Sequence, residues 1–137
     1  MADAPIPDVG FLRALMTGHD TWVAVLASGA PAGFAVAGPL GHGLHLRELS
    51  VDPAHGRRGL GTALVETVIA AAREQGFAGV SLTTFRDVPF NAPFYARLGF
   101  DELALDRADA ALRDAFVREV PVGVDPPERV LMWRSSK

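Results

Sequence analysis

Cysteine is absent from all 137 residues. That excludes disulfides, cysteine-ligated zinc and thiol catalysis together. A basic excess is absent too: 13 Lys and Arg face 16 Asp and Glu, for a net charge of -3. Nucleic-acid binders usually carry a basic surplus or stripe, so this balance weighs against one. No apolar run reaches the roughly 20 residues that a membrane span requires. Residues 1–10 hold Asp3 and Asp8 but no Lys or Arg, unlike the basic start of a secretory signal. These absences predict a cytoplasmic protein with neither a membrane nor a nucleic-acid partner. Tyrosine occurs once, at Tyr95, so any phenol chemistry falls on that residue.

Hydrophobic residues make up 49% of the chain and charged residues 21%, a globular balance with enough apolar material for a core. The length fits one domain spanning residues 1–137. Residues 7–17 read as a short helix, with Phe11, Leu12 and Leu15 on one face. Strands are expected over 21–27, 33–37 and 44–51, separated by turns. The period then changes: Leu60, Leu64, Val68 and Ala71 mark a helix over 60–75, closed by Gly76. A strand over 80–85, a short helix over 91–98, a strand over 100–105, helical character over 107–119 and a last strand over 129–134 complete the pass. Adjacent strands suggest antiparallel pairing, and the strand–helix–strand unit from 44 to 85 suggests one parallel crossover. The predicted fold is a mixed, mostly antiparallel α/β sheet with helices on both faces.

The strongest local feature is His55-Gly56-Arg57-Arg58-Gly59-Leu60-Gly61-Thr62, between a strand and a helix. Helix starts usually carry Ser, Thr, Asp or Asn as N-cap. Glycines here leave the first amides without a side-chain acceptor, and a bound phosphate would satisfy them. The plainer reading is a βα turn with two solvated arginines. A dinucleotide fingerprint would need glycine at Leu64, and a P-loop would need Lys before Thr62.

The segment from Leu46 to Pro53, followed by Gly56-Arg57-Arg58-Gly59-Leu60-Gly61, resembles the central motif of GNAT N-acetyltransferases, Gln/Arg-x-x-Gly-x-Gly/Ala. Gly56 stands where the family carries Gln or Arg, which removes one side-chain contact and leaves the amide cradle. Asn91-Ala92-Pro93-Phe94-Tyr95-Ala96-Arg97-Leu98-Gly99-Phe100 resembles the second signature, Asn-x-x-x-Tyr-x-x-x-Gly-Phe. The likeness runs from about Thr21 to Phe100, with the tail over 128–132 similar to the last family strand. It implies an acyltransferase that takes acetyl-CoA, or a close acyl-CoA, as co-substrate and an amine as acceptor. No metal is implied, and His42, His45 and His55 lack the spacing of a ligand set. Homodimers are common in the family. By resemblance, CoA contacts fall to Leu49, Ser50 and Val51, to Gly56, Arg57, Arg58, Gly59, Leu60, Gly61 and Thr62, and to Asn91 and Phe94. Asn91 also reads as an N-cap ahead of Pro93.

The resemblance makes Tyr95 the general acid that protonates the departing thiolate; the alternative is a core aromatic beside Phe94. The amine must lose a proton before it attacks. Glu48 and His45 are the candidate bases, on opposite faces of a regular strand unless a bulge intervenes. Glu48 also reads as a surface charge paired with Arg47 or Arg57, and His45 as a partly buried strand residue. One departure stands out. Only about twenty residues precede Thr21, so the family's first strand and first helix are expected to be missing. A non-catalytic acyl-CoA-binding module of the same fold is the alternative function.

Overall fold

The computed structural model describes residues 9–16 (backbone alone), 19–53, 59–86, 92–118 and 129–136. The elements run β1 (Val9–Met16), β2 (His19–Leu26), β3 (Pro31–Leu40), β4 (Gly43–Val51), α1 (Leu60–Glu74), β5 (Gly79–Phe85), α2 (Ala92–Arg97), β6 (Asp101–Glu102), a 3-10 turn (Leu105–Arg107), α3 (Ala110–Arg118) and β7 (Arg129–Ser135). One seven-stranded sheet has the order β1-β2-β3-β4-β5-β7-β6. Every neighbouring pair is antiparallel except β4 and β5. The mixed sheet is the one anticipated.

Residues 7–17 do not form the expected helix. Val9–Met16 is a strand paired along its length with β2, from Val9 opposite Leu26 to Met16 opposite His19. Three apolar positions were a thin basis for a period, and cross-strand pairing overrode the local preference. The strand also covers an edge of β2 that would otherwise stay unpaired. A first strand is therefore present. Among the described residues no helix precedes α1.

α1 buries Leu60, Leu64, Val65, Val68, Ile69, Ala71 and Ala72, a stripe at three- and four-residue spacing. Its C-terminus is a Schellman motif: Gly76, at φ 82°, donates to the Arg73 carbonyl at 3.2 Å and Phe77 to the Ala72 carbonyl at 2.9 Å. The helix packs on the sheet face that carries Leu44, Leu46, Val80, Leu82, Val130 and Met132. Leu131, between the last two, points the other way and clusters with Ala108, Leu112 and Phe116. Thus α1 and α3 cover opposite faces.

Two backbone features set up the site. Leu46 lies opposite Ala37 and Glu48 opposite Val36, so Arg47 is an extra residue in β4, a β-bulge. β4 and β5 pair only at Leu44/Val80 and His45/Ser81. β5 nevertheless stays paired with β7 from Gly79 to Phe85, and β4 with β3 as far as Val51. Beyond His45 and Ser81 the two halves of the sheet separate.

Candidate active site

The separation leaves a cleft of about 360 Å³ bordered by Glu48, Leu49, Thr83, Thr84, Tyr95 and Arg129, with Arg47 and Phe85 at its rim. The bulge decides which side chains share a face there. Val36 and Gly38 lie on the same face of β3, and they oppose Glu48 and His45. Both candidate bases therefore face away from α1, where a regular strand would have divided them. Burial then distinguishes them. Glu48 is exposed and borders the cleft. His45 is 2% exposed, its Nδ1 lies 2.8 Å from the Ser81 hydroxyl, and it does not reach the cleft lining.

Tyr95 enters from the α1 side. Its helix ends in a second Schellman motif, in which Gly99, at φ 90°, donates to Ala96 and Phe100 donates to the Tyr95 carbonyl. The spacing Tyr-x-x-x-Gly-Phe thus has a local cause. Gly99 supplies the left-handed residue, and Phe100 folds back onto the last turn. The rings of Phe94 and Phe100 meet Tyr95 edge-on, with centroids at 5.1 and 5.7 Å. The ring is 9% exposed and still borders the cleft. Burial pushes its pKa up from 10.0 to about 12, because desolvation penalises the phenolate. The phenol therefore keeps its proton through the neutral range.

At its helical end the glycine turn leaves the start of α1 without a side-chain cap. Gly59 is the N-cap of α1 in a left-handed conformation, φ 75°, with no side-chain cap and no acidic residue in the first turn. The first intrahelical bond runs from the Ala63 amide to the Gly59 carbonyl at 3.0 Å. The earlier amides, of Leu60, Gly61 and Thr62, have no acceptor further back in the helix. A Cβ at Gly61 would lie 3.5 Å from Phe94 Cζ and 3.7 Å from Val51 Cγ2. The start of α1, the end of β4 and α2 therefore meet at one place. Gly61, Val51 and Phe94 adjoin there, with Gly59, Leu60 and Thr62 flanking Gly61 in the chain and Leu49 and Ser50 preceding Val51 in β4, and the free amides of the helix start fit a phosphate-bearing ligand. Gly56, Arg57, Arg58 and Asn91 lie outside the described residues.

Sequence reasoning did not single out Thr83 or Arg129. The signal for Arg129 was a charged residue opening the apolar run Val130-Leu131-Met132. Thr83 carried no signal, because its hydroxyl matters only once the cleft has formed. Among the described residues no group of three His, Asp or Glu side chains is placed to hold a metal, and no helix is long and apolar enough to cross a membrane.

The fold is shared with solved structures. A GNAT-family acetyltransferase from Staphylococcus aureus Mu50 matches with a TM-score of 0.68 at 21% identity, over 88% of this chain and 69% of that one. The ribosomal-protein-S18-alanine N-acetyltransferase of Escherichia coli matches with a TM-score of 0.66 at 19% identity, over 90% and 72%. N-acetylglutamate synthase from Neisseria gonorrhoeae, solved with coenzyme A and N-acetyl-glutamate, matches with a TM-score of 0.70 at 17% identity, over 85% of this chain and 26% of that one. The family described as acetyltransferase (GNAT) matches residues 4–100, which take in β1, both motifs and the cleft strands. With that match covering most of its length, the chain belongs to the acetyltransferase (GNAT) family, whose members are acyl-CoA-dependent acyltransferases.

Proposed function

We propose that this protein transfers an acetyl group, or a close acyl group, from CoA to a small amine by direct attack within the β4–β5 cleft. The observation that carries the reading is one juxtaposition. A glycine-capped helix start meets the end of β4 and α2, and next to that meeting point the freed edge of β4, a buried phenol and an exposed carboxylate border one opening. The N-acetylglutamate synthase of similar fold was solved with CoA, which supports the choice of ligand.

In this reading the α1 amides from Leu60 to Thr62 hold the pyrophosphate, and the helix dipole favours its charge. The freed edge of β4 from Leu49 to Val51 pairs with the amide-bearing arm. Bound acetyl-CoA supplies an activated thioester carbonyl and a thiolate leaving group. Glu48 takes the proton of the acceptor ammonium, directly or through water. The Leu49 amide donates to the carbonyl oxygen as charge develops there. Tyr95 donates toward the departing sulfur as charge grows there, and the second proton, which the nitrogen gives up on becoming an amide, makes good the one the thiol gains. His45, buried against Ser81, supports the strand.

Calorimetric titration with acetyl-CoA, with CoA alone as the comparison, tests the reading. The expected result is saturable binding of one ligand per chain, followed by thiol release when a panel of amines is added. No binding by a folded sample overturns the proposal. Binding without turnover of any amine would leave an acyl-CoA-binding module.

A further inference from the structure

Arg129 is the outlier of the cleft. It is 8% exposed, yet it opens an apolar strand. Its guanidinium has two contacts among the described residues. One is the Phe116 carbonyl at 3.5 Å, the far limit of a hydrogen bond, and the other is the Phe116 ring with its centroid at 5.2 Å. Five N–H donors are thus served by one weak acceptor. No carboxylate pairs with it among the described residues. A buried cation without a counter-charge costs several kcal/mol, so such a site calls for an anion.

A second observation points the same way. The Thr83 hydroxyl is buried without a hydrogen-bond partner among the described residues, and Thr83 borders the same cleft. Thr83 opposes Leu131, and Phe85 opposes Arg129. Thr83 and Arg129 are therefore diagonal neighbours on one face, the face of α3. Glu48 lies on that face too, across β5. Arg47, on the bulge, borders the cleft as well, but it is exposed and already has a partner.

Resting on the acyltransferase reading, we propose that the acceptor is a small amine that also carries a carboxylate, held by the Arg129 guanidinium and the Thr83 hydroxyl while Glu48 receives its amine. A guanidinium fork matches a planar carboxylate with two parallel hydrogen bonds. The Thr83 hydroxyl completes the set as a third donor. Glu48 on β4 and Arg129 on β7 are two strand spacings apart, about 10 Å between strand axes in a closed sheet and more where the strands splay. One end of the acceptor is thereby aimed at the thioester and the other is anchored away from it. The binding face is opposite the one that carries Tyr95, so acceptor and CoA approach from different sides.

The test uses the CoA-loaded full-length chain and needs no knowledge of the physiological acceptor. N-acetylglycine and N-acetyl-4-aminobutyrate, two product-like carboxylates of different span, are each titrated against their carboxamides. At least one carboxylate is expected to bind tenfold or more tighter than its amide. R129Q should erase that preference while leaving the CoA dissociation constant within twofold. R129K, with charge but no fork, should keep part of it, and T83V should weaken carboxylate binding several-fold. Equal binding of acid and amide, or no carboxylate binding by a protein that binds CoA, overturns the inference alone. Should R129Q not fold, the wild-type preference and R129K decide. Failure to bind CoA at all overturns both this inference and the acyltransferase reading beneath it.

Discussion

Replacing Tyr95 with phenylalanine removes one oxygen and leaves the packing of its ring intact. The edge-on contacts with Phe94 and Phe100 involve the ring, so Y95F should fold with stability within about 1 kcal/mol of wild type. The kinetic magnitude follows from the environment of the phenol. At a pKa of about 12, Tyr95 is a weaker acid than a thiol of pKa about 8.5 by more than three units. Full transfer to a resting thiolate would therefore be uphill by about 4–5 kcal/mol, at about 1.4 kcal/mol per unit. The phenol can help only while charge is growing on sulfur, as a positioned donor. That places the effect near the lower end of the range for acid–base groups, a loss of about 10²-fold in kcat. The measurement is thiol release from acetyl-CoA at saturating amine, alongside the CoA dissociation constant. A fall in kcat of that size with CoA affinity unchanged within about threefold is expected. Unchanged kcat in a folded Y95F protein would refute the acid role, and a parallel loss of CoA binding would make Tyr95 part of the binding wall.

Further perturbations probe separate links. G61A should fold, since the added methyl meets Phe94 and Val51 only at ordinary contact distance, yet weaken CoA binding tenfold or more by blocking close approach to the amides; unchanged affinity places the cradle elsewhere. G59E should abolish CoA binding, and at φ 75° should also cost about 1 kcal/mol in a thermal melt. E48Q should lower kcat/KM by about 10²-fold without affecting CoA binding, whereas H45A, which removes the buried contact with Ser81, should lower Tm and spare the turnover of the folded fraction; the reverse pattern would make His45 the base. Stability should fall between about pH 10 and 12, where unfolded chains lose the Tyr95 proton and folded ones keep it, by about 2–3 kcal/mol relative to Y95F; coincident alkaline melts of the two proteins would contradict that desolvation.

Features with a local cause were legible in the sequence. Gly76 and Gly99 marked helix ends because a left-handed residue is needed there, and both form Schellman motifs. The stripe of α1 showed because one element determines it. Tyr95 could be placed from the spacing of its own helix end. What depends on pairing between distant segments was not legible. Val9–Met16 became a strand because β2 offered it an edge, and no pattern within those eight residues says so. The bulge at Arg47 is a mismatch of register between β3 and β4, so the shared face of Glu48 and His45 could be raised only as a conditional. Arg129 and Thr83 are about 46 residues apart in sequence and meet only because β5 and β7 pair.

The position of the cleft follows from the backbone more than from any side chain. β4 is tied to β3 on both sides of a bulge, and bulges increase local twist. β5 is tied to β7 throughout. The two strands share one parallel junction, at Leu44/Val80 and His45/Ser81, and it sits at the root of both. Twist that accumulates beyond that junction can only separate them. Separation strips each strand of a hydrogen-bonding neighbour, and backbone amides and carbonyls near a core must find partners. Water can serve, but an extended ligand with amides of its own serves better and restores the missing strand. The side chains then divide by face. Tyr95 reaches the opening from the α1 side, and Glu48, Thr83 and Arg129 reach it from the α3 side. A site built in this way demands little from most residues. This accounts for a fold shared with a Staphylococcus aureus acetyltransferase at only 21% identity.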